Sequence, residues 1–245
     1  MAVNMKKKFP KSWKDNSMAG HDWYLGFMSR NPTLSLRSPE TTSMARATGF
    51  NEENVLYFFD LYKRILDEHK LECMAIYNMG ETGLTTVQTP SKIIAQKGQK
   101  QVGSITSAER GTLITLALAV NAIGHTIPPM FPFPRKKYYD YFVRDGPSGS
   151  IGVSNGSGWM QEEDFIIFLK HFSKHTRCTP KSKVLLILDN HISHHSYSAV
   201  KFCIDTGIIL LSLPPHCTHK LQPLDRSVFG PLKKYYTSRK IIYNL

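Results

Sequence analysis

The sequence predicts an α/β domain, a mixed sheet flanked by helices, with a short helical appendage at its amino end. Three observations predict it. The run Val184-Leu185-Leu186-Ile187-Leu188 is apolar and branched, which reads as a buried strand. Phe165, Phe168, Leu169 and Phe172 recur at i, i+3, i+4 and i+7, the inward stripe of a helix over about 160–174. Strands come before that helix and helix alternates with strand after it, an order that gathers strands into one sheet with helices on its faces.

The elements follow in order. A short helix over 21–30 carries Trp23 and Phe27 on one face, at i and i+4. Asn51 caps a helix to about His69, with Val55, Phe59, Tyr62 and Leu66 as its buried stripe. Strands are expected at about 72–78, 92–95 and 112–121. Gly124 then turns the chain into an extended segment through Ile127 and the Pro128-Pro129 pair. Residues 145–158 are rich in Gly and Ser and read as a mobile loop. Beyond the strand that ends at Asp189, a helix turns Tyr197, Val200 and Ile204 inward, a strand covers 208–213, and a basic helix runs from about Asp225 past Tyr236. Three leading strands, then alternating helix and strand, then a terminal helix is the order of a ribonuclease-H-like domain. The expected division is residues 1–50 as the appendage with its linker and residues 51–245 as the domain.

Composition narrows the function classes. With 245 residues and 41% apolar content, the chain can bury one sizeable core. No apolar run approaches the ~18 residues that span a bilayer, so no membrane segment is expected. Lys6-Lys7-Lys8 has no apolar stretch after it, unlike a secretory signal. Cys73, Cys178, Cys203 and Cys217 are scattered without the paired spacing of a zinc knuckle or redox motif, and are expected to be reduced thiols. The net charge is +12, and it sits at the two ends: residues 1–50 hold eight Lys/Arg against three acids, residues 214–245 six against one. Basic ends fit a polyanionic partner, nucleic acid above all. Solvated basic tails are the alternative.

Asp189 closes the apolar run, and open α/β sheets place their ligands at the carboxyl ends of strands. An Asp there is equally suited to cap the next helix through Ser193 and His194. The residues alone leave both roles open.

The wording around the acids carries a resemblance. Leu213-Pro214-Pro215-His216-Cys217-Thr218-His219-Lys220-Leu221-Gln222-Pro223-Leu224-Asp225, followed by Val228-Phe229-Gly230-Pro231-Leu232-Lys233, closely resembles the last catalytic block of pogo-like DDE transposases, the Tigger and jerky group. Asp189-Asn190 with His194 resembles their middle block. Tyr77-Asn78-Met79-Gly80-Glu81-Thr82-Gly83 resembles their first, which normally reads Asn-x-Asp-Glu-Thr-Gly. Trp23, Phe27, Arg30, Asn31, Leu34, Ser35 and Arg37 resemble the tail of the centromere-protein-B-type helix-turn-helix that precedes the catalytic domain.

The resemblance implies a ribonuclease-H-like fold, a DNA partner, action in the nucleus and a divalent metal site of Mg or Mn. Two such ions roughly 3.5–4 Å apart generate the nucleophile and neutralise the leaving oxygen, and hard cations take carboxylate oxygens. By resemblance Asp189 and Asp225 are the catalytic, metal-binding acids, and Gly80 stands where the third belongs without any ligand atom. Glu81 is the nearest substitute, but side chains alternate across a strand, so it faces away unless the strand bulges there. Asp145 and Glu162 are remoter substitutes. His194, like His216 and His219, lies inside a motif block, where it orients a loop or meets phosphate, and irregular spacing argues against a zinc site built from the histidines. Arg30, Arg37, His194, Lys220, Lys233 and Lys234 are the expected nucleic-acid contacts, and residues 1–50 either bind DNA or pack on the domain. The expected protein is transposase-derived, binds DNA and no longer cuts it. Its alternatives are an active metal-dependent endonuclease with an unconventional third ligand and a decayed element product. Homo-oligomerisation stays open.

Overall fold

The structure is a computed structural model that describes residues 13, 18–36, 43–85 and 113–242, so the strand expected at 92–95 lies outside the described residues. The chain divides into two compact units, Met1–Thr42 and Ser43–Leu245. In the first unit, helix α1 (His21–Arg30) stacks Trp23 on Phe27 with ring centroids 5.2 Å apart. Asn31 closes it, its side-chain amide donating to the Phe27 carbonyl at 2.8 Å. None of the helix residues is buried.

The second unit opens with α2 (Met44–Gly49) and α3 (Glu52–His69). The Asn51 side chain caps α3 as expected, accepting from the Asn54 N–H at 2.9 Å. The buried stripe of α3 departs from expectation by one position: Phe58 is buried and Phe59 exposed. Phe58, Leu61, Tyr62, Ile65 and Leu66 continue at helical spacing onto Leu185, Leu211 and Leu213 of the sheet, and Phe59 falls outside that arc.

Six strands follow: β1 (Ile76–Thr85), β2 (Leu113–Asn121), β3 (Met130–Pro134), β4 (Ile151–Asn155), β5 (Val184–Leu188) and β6 (Ile208–Ser212). They form one sheet in the order β4-β3-β2-β1-β5-β6. β1 begins later than expected, because a 3-10 turn over Cys73–Ala75 precedes it, and it runs on through Gly80 and Glu81. The segment 145–158, expected as a mobile loop, contains β4, which pairs in parallel with β3 from Ile151 to Asn155. Only Ile151 and Val153 mark this strand among its Gly and Ser neighbours, too few to signal it by alternation.

Helix α4 (Glu162–Thr176) lies on the sheet face opposite α3. Its Phe165, Phe168, Leu169 and Phe172 are fully buried against Met79, Ala117, Met130, Leu186 and Leu188. In β5 the side chains alternate accordingly, Leu185 to the α3 layer and Leu186 and Leu188 to the α4 layer. After β5 come α5 (Tyr197–Thr206), the short α6 (Thr218–Leu221), a π-helical turn over Leu224–Val228 and α7 (Phe229–Ile242). The inward face of α5 is another correction: Tyr197, Val200 and Ile204 are exposed, and Ala199 and Cys203 pack inward. Small side chains let that helix sit close to the sheet and leave its large ones outside. All four cysteines are free, with Cys73 exposed and Cys178, Cys203 and Cys217 buried.

Phe168 stacks between Phe165 and Phe172, each 6.2 Å away. Phe168→Ala is expected to lower unfolding stability by about 3–5 kcal/mol, read by urea titration.

Candidate active site

β1 and β5 run parallel at the sheet centre, pairing Tyr77 with Leu186 and Asn78 with Ile187. Continuing that register by two residues sets Gly80, midway along β1, beside Asp189 at the carboxyl end of β5, where such sheets place their sites. The loop after β5 then turns sharply. Asp189 Oδ1 accepts from the His191 backbone N–H at 3.1 Å, and a 3-10 turn over Ile192–His194 follows. His191 caps that turn, its ring accepting from the Ser193 N–H, and the Asp189 carboxylate still reaches solvent. The expected cap through Ser193 and His194 is not formed: the Ser193 N–H bonds to the His191 ring and the His194 N–H to the His191 carbonyl.

His194 is 3% exposed and lies between two carboxylates, Nε2 at 3.3 Å from Glu81 Oε1 and Nδ1 at 3.1 Å from Asp189 Oδ1. The Nδ1–H points off the Asp189 oxygen, so that contact is an ion pair rather than a directed hydrogen bond. Burial alone pushes the His194 pKa down, but the two carboxylates prevail and raise it to about 9. Burial likewise favours a raised Asp189 carboxyl, and the contacts with His194 and His191 bring it below its ordinary value. His194 was expected to meet phosphate or orient the loop; it is buried, with both nitrogens facing carboxylates. Glu81 points to this imidazole on the α4 side, away from the side that Gly80 faces, as strand alternation requires.

The Gly80 face is filled from the final segment. A Cβ there would stand 3.0 Å from Gln222 Nε2, 3.1 Å from the Phe229 ring and 3.3 Å from Leu224. Gln222, 2% exposed, donates to the Met79 carbonyl at 2.7 Å and accepts from the Asn78 amide at 2.6 Å. Asn78 also donates to the Ile187 carbonyl at 3.1 Å and accepts from the Leu224 N–H at 3.3 Å. These amides pin the last segment to the central strands. Asp225 follows at once in the π-helical turn, which precedes Pro231, a residue with no N–H for the Ser227 carbonyl. Its side chain is exposed, and its carboxyl is raised by desolvation and by the negative charge of Asp189, against a lowering by Lys233.

Among the described residues no group of three His, Cys, Asp or Glu side chains is arranged to hold a metal. Asp189 and Asp225 are hard oxygen donors, but Gly80 offers none, and Glu81 is held by His194 on the other face. Asp145 is exposed beside Arg144, and Glu162 lies exposed in the first turn of α4. The cavity lined by Met79, Gly80, Glu81, Asp189 and His194 measures about 10 Å³, space for about one water. These donors do not fit a two-metal centre. Lys220, Lys233 and Lys234 are exposed around the last segment and Arg30 is exposed on α1, while Arg37 lies outside the described residues. Gln222 is the site residue that sequence reasoning passed over: it stood inside a quoted motif, but its role depends on Asn78, far away in the chain.

Comparison with known proteins gives this geometry its relatives. The family described as DDE superfamily endonuclease matches residues 115–245. A Cochliobolus lunatus protein named MFS-type transporter clz9 is 34% identical over 72% of this chain and 19% of its own length. The human Pogo transposable element with ZNF domain is 23% identical over 96% of this chain and 16% of its own. The chain therefore spans less than a fifth of these relatives. Of the described helices, none is long and apolar enough to cross a membrane. In structure, the chain is similar to a pre-cleavage Mos1 transpososome (TM-score 0.58, 11% identity, 99% of this chain and 68% of that one). It is also similar to the Mos1 mariner paired-end complex with Mn (TM-score 0.57, 12% identity, 99% and 68%). The mixed six-stranded sheet with flanking helices is the ribonuclease-H-like fold.

The His194 charge has a pH signature. Its pKa is raised on folding, so its contribution to stability is fully present below the ordinary value near 6.5 and is lost as pH rises through about 9. In metal-free buffer, unfolding free energy is expected to fall by roughly 2–3 kcal/mol across that window. His194→Gln is expected to flatten the profile; an unchanged slope in the variant would rule out the bridged imidazolium.

Proposed function

The chain belongs to the DDE superfamily endonucleases as a pogo-like transposase domain, and from that premise we propose that it binds DNA without cutting it. One observation carries the reading. In the register beside Asp189 stands Gly80, with no ligand atom, and the space over it holds the Gln222 side chain. Two-metal cleavage needs carboxylates converging from both strands and the last helix. Here Asp189 and Asp225 are the two that remain, and no cleavage step follows from them alone. Mg or Mn binds only weakly through this pair.

DNA binding rests on charge and kinship. The chain carries +12, with exposed Lys220, Lys233 and Lys234 in the last segment and Arg30 on α1. The Mos1 relatives are described with transposon ends, and the fold is shared with them. In this reading residues 1–50 are the remnant of a helix-turn-helix and contribute phosphate contacts with little sequence preference, and the protein acts in the nucleus.

The test is nicking of supercoiled DNA with Mn²⁺, beside salt titration of duplex binding. The unmodified chain is expected to leave the plasmid intact, as is Asp189→Asn, while log K falls with log salt by about 0.9 per phosphate contacted. Nicking by the unmodified chain that Asp189→Asn removes would overturn the proposal. Restoring the acid with Gly80→Asp requires the Gln222, Phe229 and Leu224 side chains to shift by a few tenths of an ångström.

A further inference from the structure

The loop that leaves β3 reads Arg135-Lys136-Lys137-Tyr138-Tyr139-Asp140-Tyr141-Phe142, and neither the motif blocks nor the acids account for it. It has two layers. The inner layer is an anchor, with Phe142 packing on Phe133 at 4.9 Å between centroids and edge-on to Tyr138 at 6.0 Å. Tyr138 lies over β4 at Gly152, where a Cβ would collide with its ring. Gly152 is required there by close approach rather than by backbone angle. A 3-10 turn over Asp140–Phe142 fixes the backbone, with Phe142 N–H bonded to the Tyr139 carbonyl at 2.9 Å.

The outer layer is displayed. Tyr139 and Tyr141 are 50% and 61% exposed, and their rings stack on each other at 5.5 Å and 21°. Beside them Arg135, Lys136 and Lys137 are exposed, and no ion pair among the described residues engages them. Cations and tyrosines together line an open hollow of about 540 Å³.

Strand direction fixes where this loop emerges. β3 runs antiparallel to β2, and β2 antiparallel to β1, so β3 points the same way as β1 and its parallel partner β5. The loop after Pro134 and the residue after Leu188 therefore leave from the same end of the sheet. At the usual strand spacing they lie three strands, roughly 14 Å, apart across the sheet, and the register sets Pro134 five residues further along the strand direction than Asp189, so the loop starts roughly 20 Å from that acid. A DNA strand passing Asp189 and Asp225 has the loop within reach.

We propose that Arg135, Lys136, Lys137, Tyr139 and Tyr141 form a binding platform for single-stranded DNA, the tyrosine rings stacking on unpaired bases while the three cations hold phosphates. Duplex DNA hides the faces of its bases, so rigid, exposed aromatic rings gain contact only where bases are unpaired. Ring faces stack on any base, which makes the site tolerant of sequence and sensitive to salt. The assignment rests on the DNA-binding function proposed above and specifies the form of DNA that this end of the sheet takes.

Fluorescence anisotropy with labelled oligothymidine and with a duplex of equal length, on the full chain, tests it. Tyr139→Ala/Tyr141→Ala is expected to weaken oligothymidine binding about tenfold or more and duplex binding less than twofold, and Tyr139→Phe/Tyr141→Phe to keep both. Lys136→Ala/Lys137→Ala is expected to shallow the oligothymidine salt slope by about 0.7 per phosphate lost. Thermal melts matching the unmodified chain confirm folding, and the lysine pair tests the site independently of the tyrosines. Oligothymidine binding unchanged by the tyrosine pair, with duplex binding intact, would overturn the platform and leave the DNA-binding proposal standing. Equal weakening of both forms would overturn the single-strand assignment, and a preference for oligouridine over oligothymidine the choice of DNA. No binding of either form would overturn both proposals.

Discussion

The buried amide pair between Asn78 and Gln222 holds this site together. Gln222 lies 144 residues from Asn78, and the 2.6 Å bond between them joins the central strand to the segment that carries the last acid. Each amide also bonds backbone, Asn78 to Ile187 and Leu224, Gln222 to Met79. A buried network in which every member is satisfied gives definite geometry, whereas one missing partner would leave the rest at high cost. Asp225 stands where it does because its neighbours on the amino side are tied down. The same amide lies over Gly80, so one residue both ties down the segment before Asp225 and lines the Gly80 face.

A charge arrangement lies on the other face of β1. Asp189 and Glu81, on different strands, converge on one imidazole, and the cation they share compensates both in a poorly hydrated place. Such an arrangement favours a fixed loop after β5. It leaves Asp189 with one oxygen engaged by His194 and the His191 N–H, and Asp225 exposed between the negative charge of Asp189 and the positive charge of Lys233.

Much of the fold was legible because its signals were periodic. The stripe of α4 and the apolar run of β5 are dense and unambiguous, and both lie where the residues predict. In α3 two adjacent phenylalanines each fitted a helical stripe, and only packing on Leu185 and Leu211 selected Phe58. In α5 the large apolar residues have the right spacing but the wrong side, since close approach to the sheet favours Ala199 and Cys203. β4 escaped notice because Gly152, the residue that makes it unlike a strand, is what Tyr138 needs beneath it. At the site, Asp189 and Asp225 were readable from their motifs. The imidazole shared by Glu81 and Asp189 and the amide over Gly80 were not, because each joins residues more than a hundred positions apart.

The cysteines supply a practical handle. Burial removes Cys178, Cys203 and Cys217 from solvent, and the Cys203 thiol is pushed up to about 12, far from forming a thiolate at neutral pH. Cys73 is exposed, in the turn just ahead of β1. A thiol-reactive dye or spin label added to the native protein thus has a single chemical address, a few residues from the central strand, without any engineered cysteine. Distances from that address to a labelled DNA end would orient the nucleic acid on the sheet before a complex is ever crystallised.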